Sequence, residues 1–170
     1  KKLAALRILS LSCTYPSAAE PRRGLFVRLR LQELAKLAEL KVLSPTPVVD
    51  YGNGLAGGRW LQLAPVPAQR DGDVEVLRPR WAFFPFGGWP NPLLLFLETW
   101  WPVRRLRKRF PFDLIDAHFA YPDGVAAALM ARAWNLPFLV TLRGSEIMHC
   151  RKPLVRKTVE WALPRAACII

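Results

Sequence analysis

Short aliphatic runs alternate with longer stretches of helical spacing along this chain of 170 residues. Residues 6–12 are aliphatic and almost continuous, as expected of a strand that is buried on both faces. The next stretch has Val27, Leu31 and Leu34 at helical spacing, and residues 40–43 are again a short aliphatic run. A strand, a helix and a second strand in this order predict one βαβ unit.

The alternation continues after a middle region, residues 45–92, that is rich in Pro, Gly and Trp. Pro102 predicts a kink or a fresh start between two helical segments, and Asn135 predicts a left-handed helix end. Repeated βα units predict an α/β fold: a Rossmann-like parallel sheet with helices on both faces. The later strands are predicted over residues 74–77, 113–119, 138–142 and 167–170, and the later helices over residues 93–101, 103–110, 124–134 and 154–163.

The composition favours one soluble domain with an anionic partner. Hydrophobic residues make up 52% of the chain, enough for a sizeable core. Lys and Arg number 25 against 13 Asp and Glu, and the net charge of +12 favours nucleic acid, a membrane surface or phosphorylated small molecules. No apolar run approaches the ~20 residues of a membrane span. Three cysteines without a CxxC pair indicate a reducing compartment and no zinc site.

Three loops are predicted to meet at one edge of the sheet. In a doubly wound sheet of order 3-2-1-4-5, ligands bind where the strand order reverses, past the carboxyl ends of the strands. That point lies between the first strand and the strand that ends at His118. It brings together a first loop (residues 14–24), a second loop (residues 118–124) and a third loop (residues 143–146).

The first loop carries Arg22, Arg23 and Gly24 just ahead of a helix. Two guanidinium groups at a helix N-terminus can bind a phosphate or a polar substrate. The alternative is that Gly24 eases the turn while both arginines are solvated.

The second and third loops carry the remaining candidates. His118 ends a buried strand and can donate or accept a hydrogen bond near neutral pH, although a lone histidine is more often structural. Asp123 is interpreted first as a helix N-cap. Ser145 can cap the next helix, and Arg143 or Glu146 can reach ligand hydroxyl groups. The candidate substrate-binding residues in these two loops are Tyr121, Asp123, Arg143, Gly144, Ser145 and Glu146.

A basic, tryptophan-rich stretch leaves three interpretations open. It can be a solvated basic face over a buried aromatic face, an interfacial membrane helix, or a nucleic-acid surface, although no nucleic-acid module accompanies it. The candidate membrane-contact residues are Trp100, Trp101, Arg104, Arg105, Arg107, Lys108 and Arg109.

Two other patterns are set aside. Residues 52–57 spell GxGxxG but do not join the first strand to a helix, as dinucleotide binding requires. His149 and Cys150 are sequence neighbours, so they need not form a nucleophile pair. No metal-ligand spacing is present.

With these residues in place, the chain resembles the N-terminal, acceptor-side domain of GT-B glycosyltransferases of family 4. The resemblance is carried by residues 7–28, 42–45, 112–124 and 141–146, in this order. It implies that residues 1–170 are one half of a two-domain enzyme whose C-terminal nucleotide-sugar domain is absent from this chain. The chain starts without Met and stops inside an apolar run, and we interpret it as a piece of a longer protein that is inactive alone.

The resemblance also implies a reaction and its partners. A retaining glycosyltransferase would move sugar from a UDP- or GDP-sugar donor to a glycan or lipid-linked acceptor, without a metal. The loop ending at Gly24 would lie beside the donor phosphates and the acceptor, and His118 near the transferring sugar as a hydrogen-bond partner. A cytoplasmic enzyme, peripheral on the inner membrane face, would suit the basic stretch. The alternative is a non-catalytic basic module that binds anionic membranes.

Overall fold

A seven-stranded sheet forms the centre of the computed structural model, which describes residues 6–49, 66–84 and 88–170. The strands are β1 (Arg7–Leu11), β2 (Glu39–Leu43), β3 (Thr46–Pro47), β4 (Gln69–Asp71), β5 (Val74–Leu77), β6 (Arg80–Trp81), β7 (Leu114–His118), β8 (Phe138–Thr141) and β9 (Cys168–Ile169). The helices are α1 (Leu25–Leu34), α2 (Asn91–Arg109), α3 (Val125–Trp134), α4 (Glu146–His149) and α5 (Pro153–Ala162). The GxGxxG pattern at residues 52–57 lies outside the described residues.

The sheet order is β4-β5-β2-β1-β7-β8-β9, and only β4 runs antiparallel, to its neighbour β5. The short strands β3 and β6 form a separate parallel pair. Among the parallel strands of the main sheet the order is therefore 3-2-1-4-5-6. The predicted α/β fold is confirmed, and β1 and β7 are neighbours, so the strand order reverses between them as expected.

Helices cover both faces of the sheet because strand residues alternate between two hydrophobic cores. Val27 and Leu31 of α1 pack on one face, against residues such as Ile8 and Val42. The opposite face carries the larger core, which includes Leu9 of β1 and buried residues of α2, α3 and α5. Adjacent strand residues point to opposite faces, which is why Ile8 and Leu9 belong to different cores.

Of the two predictions at Pro102, the fresh start is wrong, because α2 is one continuous helix with this proline inside it, and the kink stays a prediction. Proline removes one backbone donor and costs a helix interior about 3 kcal/mol. Buried residues on both sides of it, Leu95 before and Val103 and Leu106 after, hold the two halves on one core. Tertiary packing therefore outweighs the local penalty. The predicted end of α3 is confirmed, since Asn135 has φ 52°.

Candidate functional site

A cavity of about 720 Å³ opens where the three loops meet. Each loop contributes to its wall, so the structure brings together the loops that the sequence assigned to one edge of the sheet. A second side of the wall comes from β3, β6 and α5 and is largely apolar. The lining residues are Cys13, Thr14, Glu20, Arg23, Pro47, Val49, Trp81, Phe83, Gly88, Asn91, Phe119, Tyr121, Pro122, Asp123, Ser145, His149, Lys152 and Val155.

Gly24 shapes the first loop because no other residue fits there. Its φ is +71°, and a Cβ atom would lie 2.4 Å from the carbonyl oxygen of Thr14. The close approach folds the loop back onto its own start before α1 begins. Helix α1 has no side-chain cap and no acidic residue in its first turn.

The two predicted arginines of the first loop are placed differently. Arg23 lines the cavity and pairs with Glu20, with Nη1 and Oε2 separated by 2.9 Å. Arg22 is exposed and is not among the described residues that line the cavity. The structure therefore brings one guanidinium group to the cavity wall and leaves the other at the surface.

Asp123 is a buried carboxyl group in the cavity wall. Its Oδ2 accepts a hydrogen bond of 3.1 Å from the backbone N–H of Cys13, and Oδ1 has no hydrogen-bond partner among the described residues. Burial raises the pKa of Asp123 to about 7, even though the hydrogen bonds with Cys13 act in the opposite direction. The expected N-cap role is wrong, because no side chain caps α3 and Asp123 instead joins the second loop to the first.

Tyr121 is held against the start of α2. Its hydroxyl donates a hydrogen bond to the carbonyl oxygen of Gly88, and burial raises its pKa to about 12. Its ring lies 5.2 Å from that of His149, centroid to centroid. Both rings line the cavity, so they fix the position of the second loop relative to α4.

Glu146 joins the third loop to the second. Its carboxylate accepts hydrogen bonds from the backbone N–H of Ala120 at 3.2 Å and from that of Arg143 at 3.2 Å. Ser145 lines the cavity at the N-cap position of α4, but its side chain makes no capping hydrogen bond, so the expected cap is wrong. Gly144 is exposed with φ +84°.

His118 lies at the end of β7 but not in the cavity wall, as far as the described residues define it. It is completely buried, and its Nε2 is 3.2 Å from Arg30 Nη1 and 3.3 Å from Asp116 Oδ2. Its Nδ1 has no hydrogen-bond partner among the described residues. We call Arg30, Asp116 and His118 the polar cluster. Arg143 lies nearby, with its guanidinium 4.7 Å from the ring centroid of Phe26.

Several cavity residues were not predicted as site residues. His149 is the last residue of α4, Lys152 lies between α4 and α5, and Asn91 begins α2. Trp81 and Phe83 come from the middle region, whose structure the hydrophobic pattern does not predict. His149 was considered only with Cys150. Its position just after the third loop, on the same edge of the sheet, could have predicted that it lines the cavity.

The basic, tryptophan-rich stretch divides between the core and the surface. Trp100 stacks on Trp134, with centroids 4.7 Å apart and planes at 4°. Arg107 lies over Phe112, 5.0 Å from the ring centroid. Trp100 faces the protein interior, as the interpretation of a buried aromatic face expects, whereas Arg107, expected on the solvated basic face or at a membrane, is also turned inward.

An exposed face remains on α2. Leu93, Leu97 and Trp101 are 47%, 54% and 60% exposed and lie at four-residue spacing, which places them on one side of the helix. The guanidinium of Arg104 is 5.2 Å from the centroid of the Trp101 ring. The exposed cations beside this apolar stripe are Arg104, Arg105, Lys108 and Arg109, of which Arg109 also pairs with Glu75. None of the helices in the described parts of the chain is both long and apolar enough to span a bilayer.

The sheet order and the cavity at its switch point define a Rossmann-like domain of the GT-B type. Residues 32–170 match the glycosyl transferase 4-like domain family, and the chain belongs to this family. TuaC of Bacillus subtilis (strain 168), named as a teichuronic acid biosynthesis glycosyltransferase, is 30% identical over 146 residues. The match covers 84% of this chain and 37% of TuaC, so the chain spans little more than a third of that relative.

Two solved structures share the fold. The match to sucrose-phosphate synthase from Thermosynechococcus elongatus has a TM-score of 0.63 at 13% identity. It covers 96% of this chain and 41% of the synthase chain. The match to a protein named as a UDP-N-acetylglucosamine 2-epimerase from Listeria monocytogenes has a TM-score of 0.52 at 9% identity. It covers 99% of this chain and 39% of the Listeria chain. At these identities the likeness concerns the fold alone.

Proposed function

We propose that this domain is the acceptor-side half of a retaining glycosyltransferase. The whole protein would transfer sugar from a UDP- or GDP-sugar, bound mainly by a second domain, to a glycan or lipid-linked acceptor. Membership of the glycosyl transferase 4-like family supports the reaction class. The observation that carries the proposal is the cavity at the switch point between β1 and β7, where α/β sheets of this kind bind ligands.

The cavity wall suits an acceptor with a polar and an apolar part. The three loops supply hydrogen-bonding groups, including the carboxyl group of Asp123 and the cation Arg23, and Lys152, just before α5, adds a second cation. Trp81, Phe83 and the residues near them supply an apolar wall. Sugar hydroxyl groups of the acceptor would bind to the polar wall, and an aliphatic or aglycone part would pack against the apolar wall.

A test of transfer uses the full-length protein with radiolabelled UDP-glucose, UDP-N-acetylglucosamine, UDP-glucuronic acid and GDP-mannose, together with membrane extract as the acceptor source. We expect label in the lipid or glycan fraction and, by NMR, the anomeric configuration of the donor in the product. A folded protein that transfers label from none of these donors, or a product of inverted configuration, would contradict the proposal.

A matched pair of variants tests the cavity itself. Ser145→Trp places a large side chain in the cavity wall, whereas Ile147→Trp places the same side chain on the exposed surface of α4. We expect at least a tenfold loss of transfer in Ser145→Trp and less than a twofold change in Ile147→Trp. Equal activity in both variants would remove the cavity from the reaction.

His118 is proposed to act on the reaction as a hydrogen-bond partner near the transferring sugar. Its unpartnered Nδ1 supports this role, and its contacts with Asp116 and Arg30 favour a structural one. We expect His118→Ala to lower kcat strongly in the full-length protein while its far-UV circular dichroism stays unchanged. Wild-type kcat in a folded variant would remove His118 from the mechanism.

Membrane contact by the exposed face of α2 is part of the same proposal. An apolar stripe beside Arg104, Arg105 and Lys108 is the arrangement of an interfacial helix on anionic lipid. Replacing these three cations by Glu should abolish co-sedimentation of the protein with phosphatidylglycerol vesicles. The control is Arg107→Glu, which removes an inward-facing cation. Unchanged sedimentation of the triple variant would exclude the surface.

A further inference from the structure

A second, smaller cavity of about 120 Å³ adjoins the first. The two share Cys13, Glu20, Arg23 and Pro47 as a common wall. The small cavity lies past the carboxyl ends of β1, β2 and β5, on the side of β1 away from the switch point. Its other lining residues are Tyr15, Ser17, Ala19, Ser44, Pro45, Thr46, Val66 and Arg78.

Arg78 is a buried cation in this wall, with 9% of its surface exposed. Its Nη1 donates to Ser44 Oγ at 3.3 Å, and its Nη2 donates to the carbonyl oxygen of Pro16. The guanidinium also lies over the ring of Tyr15, 5.9 Å from the centroid. A guanidinium has five N–H donors, and the described residues account for two of them. One of the others is Nε–H, which has no acceptor in the described parts of the chain.

The charge of Arg78 also has no acidic partner among residues 6–49, 66–84 and 88–170. Burial lowers the pKa of Arg78, and the charge of Arg23 acts in the same direction. A buried and unpaired charge is unfavourable unless an ion or a network of hydrogen bonds compensates it. Arginine stays protonated in proteins, so an anion bound in the cavity would balance a charge that Ser44, Pro16 and Tyr15 meet only with neutral groups.

Arg23 brings a second guanidinium to the same cavity from the first loop. Its partner Glu20 also lines the cavity, but the side chain of Glu20 is 49% exposed and can follow Arg23 or turn to solvent. Ser17 and Thr46 add hydroxyl groups to the wall. The cavity therefore offers two cations and neutral donors around a volume sufficient for one small anionic group.

We propose that Arg78 and Arg23 bind an anionic group of the acceptor, a phosphate or a carboxylate, in the small cavity. The inference rests on the proposed function and adds a substrate class to it: a sugar phosphate or a uronic acid. The sugar ring would occupy the large cavity, and its acidic group would extend past the shared wall. Guanidinium groups bind both kinds of oxyanion through paired N–H donors.

The experiment measures binding to the full-length protein by isothermal titration calorimetry. The probes are N-acetylglucosamine 1-phosphate against N-acetylglucosamine, glucuronic acid against glucose, and UDP as the donor-side anion. We expect at least tenfold tighter binding of one acidic sugar than of its neutral partner. Arg78→Gln should abolish that preference without weakening the neutral sugar. Arg70→Gln, which removes one exposed charge from the neighbouring β4, should preserve it.

A second measurement does not depend on how Arg78→Gln folds. In the wild-type protein the Arg78 Nε–H resonance, assigned by NMR, should shift with the acidic sugar and not with the neutral one. Competition by UDP would assign the anion to the donor and overturn the acceptor proposal. Equal binding of acidic and neutral sugars would also overturn it, and sugar transfer to a neutral acceptor would then leave the proposed function intact.

Discussion

Two buried carboxyl groups, Asp116 within β7 and Asp123 in the second loop that follows it, have different surroundings. Asp116, in the polar cluster, is 2.9 Å from Arg30 Nη1 and 3.3 Å from His118 Nε2. Asp123, in the cavity wall, accepts hydrogen bonds from Cys13 alone among the described residues. Burial acts to raise both pKa values, but in Asp116 the hydrogen bond from His118 and the charge of Arg30 outweigh it and lower the pKa. In Asp123 burial prevails and the pKa rises to about 7.

The difference separates a carboxylate that holds the fold from one that we propose to contact a ligand. Asp116 is paired with the Arg30 guanidinium and contacts His118 Nε2, so its charge stabilises the folded chain. Asp123 has no cation beside it among the described residues and lines the cavity. Each of the two carboxyl groups leaves its Oδ1 without a partner in the described parts of the chain, so the pairing with Arg30 and the position in the cavity wall are what distinguish them. Groups of the second kind are concentrated at functional sites. Removing each carboxyl group should therefore have different consequences for stability and for activity.

The largest expected effect on stability comes from Asp116→Ala. It leaves Arg30 without its carboxylate partner in a mostly buried site, and breaking such a pair costs about 3 kcal/mol. Urea denaturation followed by circular dichroism measures the change. Asp113→Ala, at an exposed ion pair with Arg7 before the same strand, is the control and should cost less than about 1 kcal/mol. An equal loss of unfolding free energy in the two variants would contradict the claim that the ion pair of Arg30 and Asp116 stabilises the fold.

Gly24→Ala should have the next largest effect, because it disturbs the loop that brings Cys13 to Asp123. A left-handed alanine and a contact of 2.4 Å with the Thr14 carbonyl oxygen together should cost about 2 kcal/mol in thermal or urea unfolding. Gly72→Ala is the control, since Gly72 has φ +62° but open space around its Cβ position, and it should cost about 1 kcal/mol. Similar costs would mean that the contact with Thr14 relaxes easily.

The pH dependence of stability should have opposite sign for the two carboxyl groups. Between about pH 4, the ordinary pKa of Asp, and pH 7, the folded chain keeps a proton on Asp123 that the unfolded chain has lost. The free energy of unfolding therefore falls with rising pH by at most about 1.4 kcal/mol per unit from this group. Asp116, with its lowered pKa, instead adds stability above about pH 4 that is lost on acidification.

The difference between wild type and each variant, measured by urea denaturation at several pH values, isolates these two contributions. Asp123→Asn should flatten the slope between pH 4 and pH 7. A wild-type slope in Asp123→Asn would mean that Asp123 titrates normally in the folded chain.

The smallest expected effect on stability is that of Asp123→Asn at pH 7. An amide oxygen can still accept the hydrogen bond from Cys13, and a neutral amide avoids the burial of a charge, so the change should stay within about 1 kcal/mol. The melting temperature measures it, beside that of Asp116→Asn. A large loss in Asp123→Asn would show that its free oxygen has a structural partner.

Much of the fold follows from the sequence, because aliphatic strands and helical stripes alternate with a clear period. The strand over Val74–Leu77 and the left-handed end at Asn135 agree with the pattern. Continuity of α2 through Pro102 depends on tertiary packing, which a local pattern does not contain. The β3–β6 pair, with two residues in each strand, is too short to leave a periodic signal.

The candidate site was predictable only in part. The switch-point rule brought the three loops together, since it depends on strand order alone. The apolar wall comes from residues such as Trp81 and Val155, which are far from these loops in sequence and meet them only through the fold. The inward orientation of Trp100 could be predicted from helical spacing, because Phe96 and Val103 lie on the same face of the helix. The lack of an ion-pair partner for Asp123 and Arg78 in the described parts of the chain depends on three-dimensional contacts, which the sequence pattern does not contain.

The central claim is that the cavity wall around Asp123 contacts the acceptor while the ion pair of Arg30 and Asp116 holds the fold. The most direct test compares sugar transfer by full-length Asp123→Asn with that of the wild type, alongside the melting temperatures of both. The account predicts at least a tenfold loss of transfer with the melting temperature nearly unchanged. Wild-type transfer by a folded Asp123→Asn protein would contradict it.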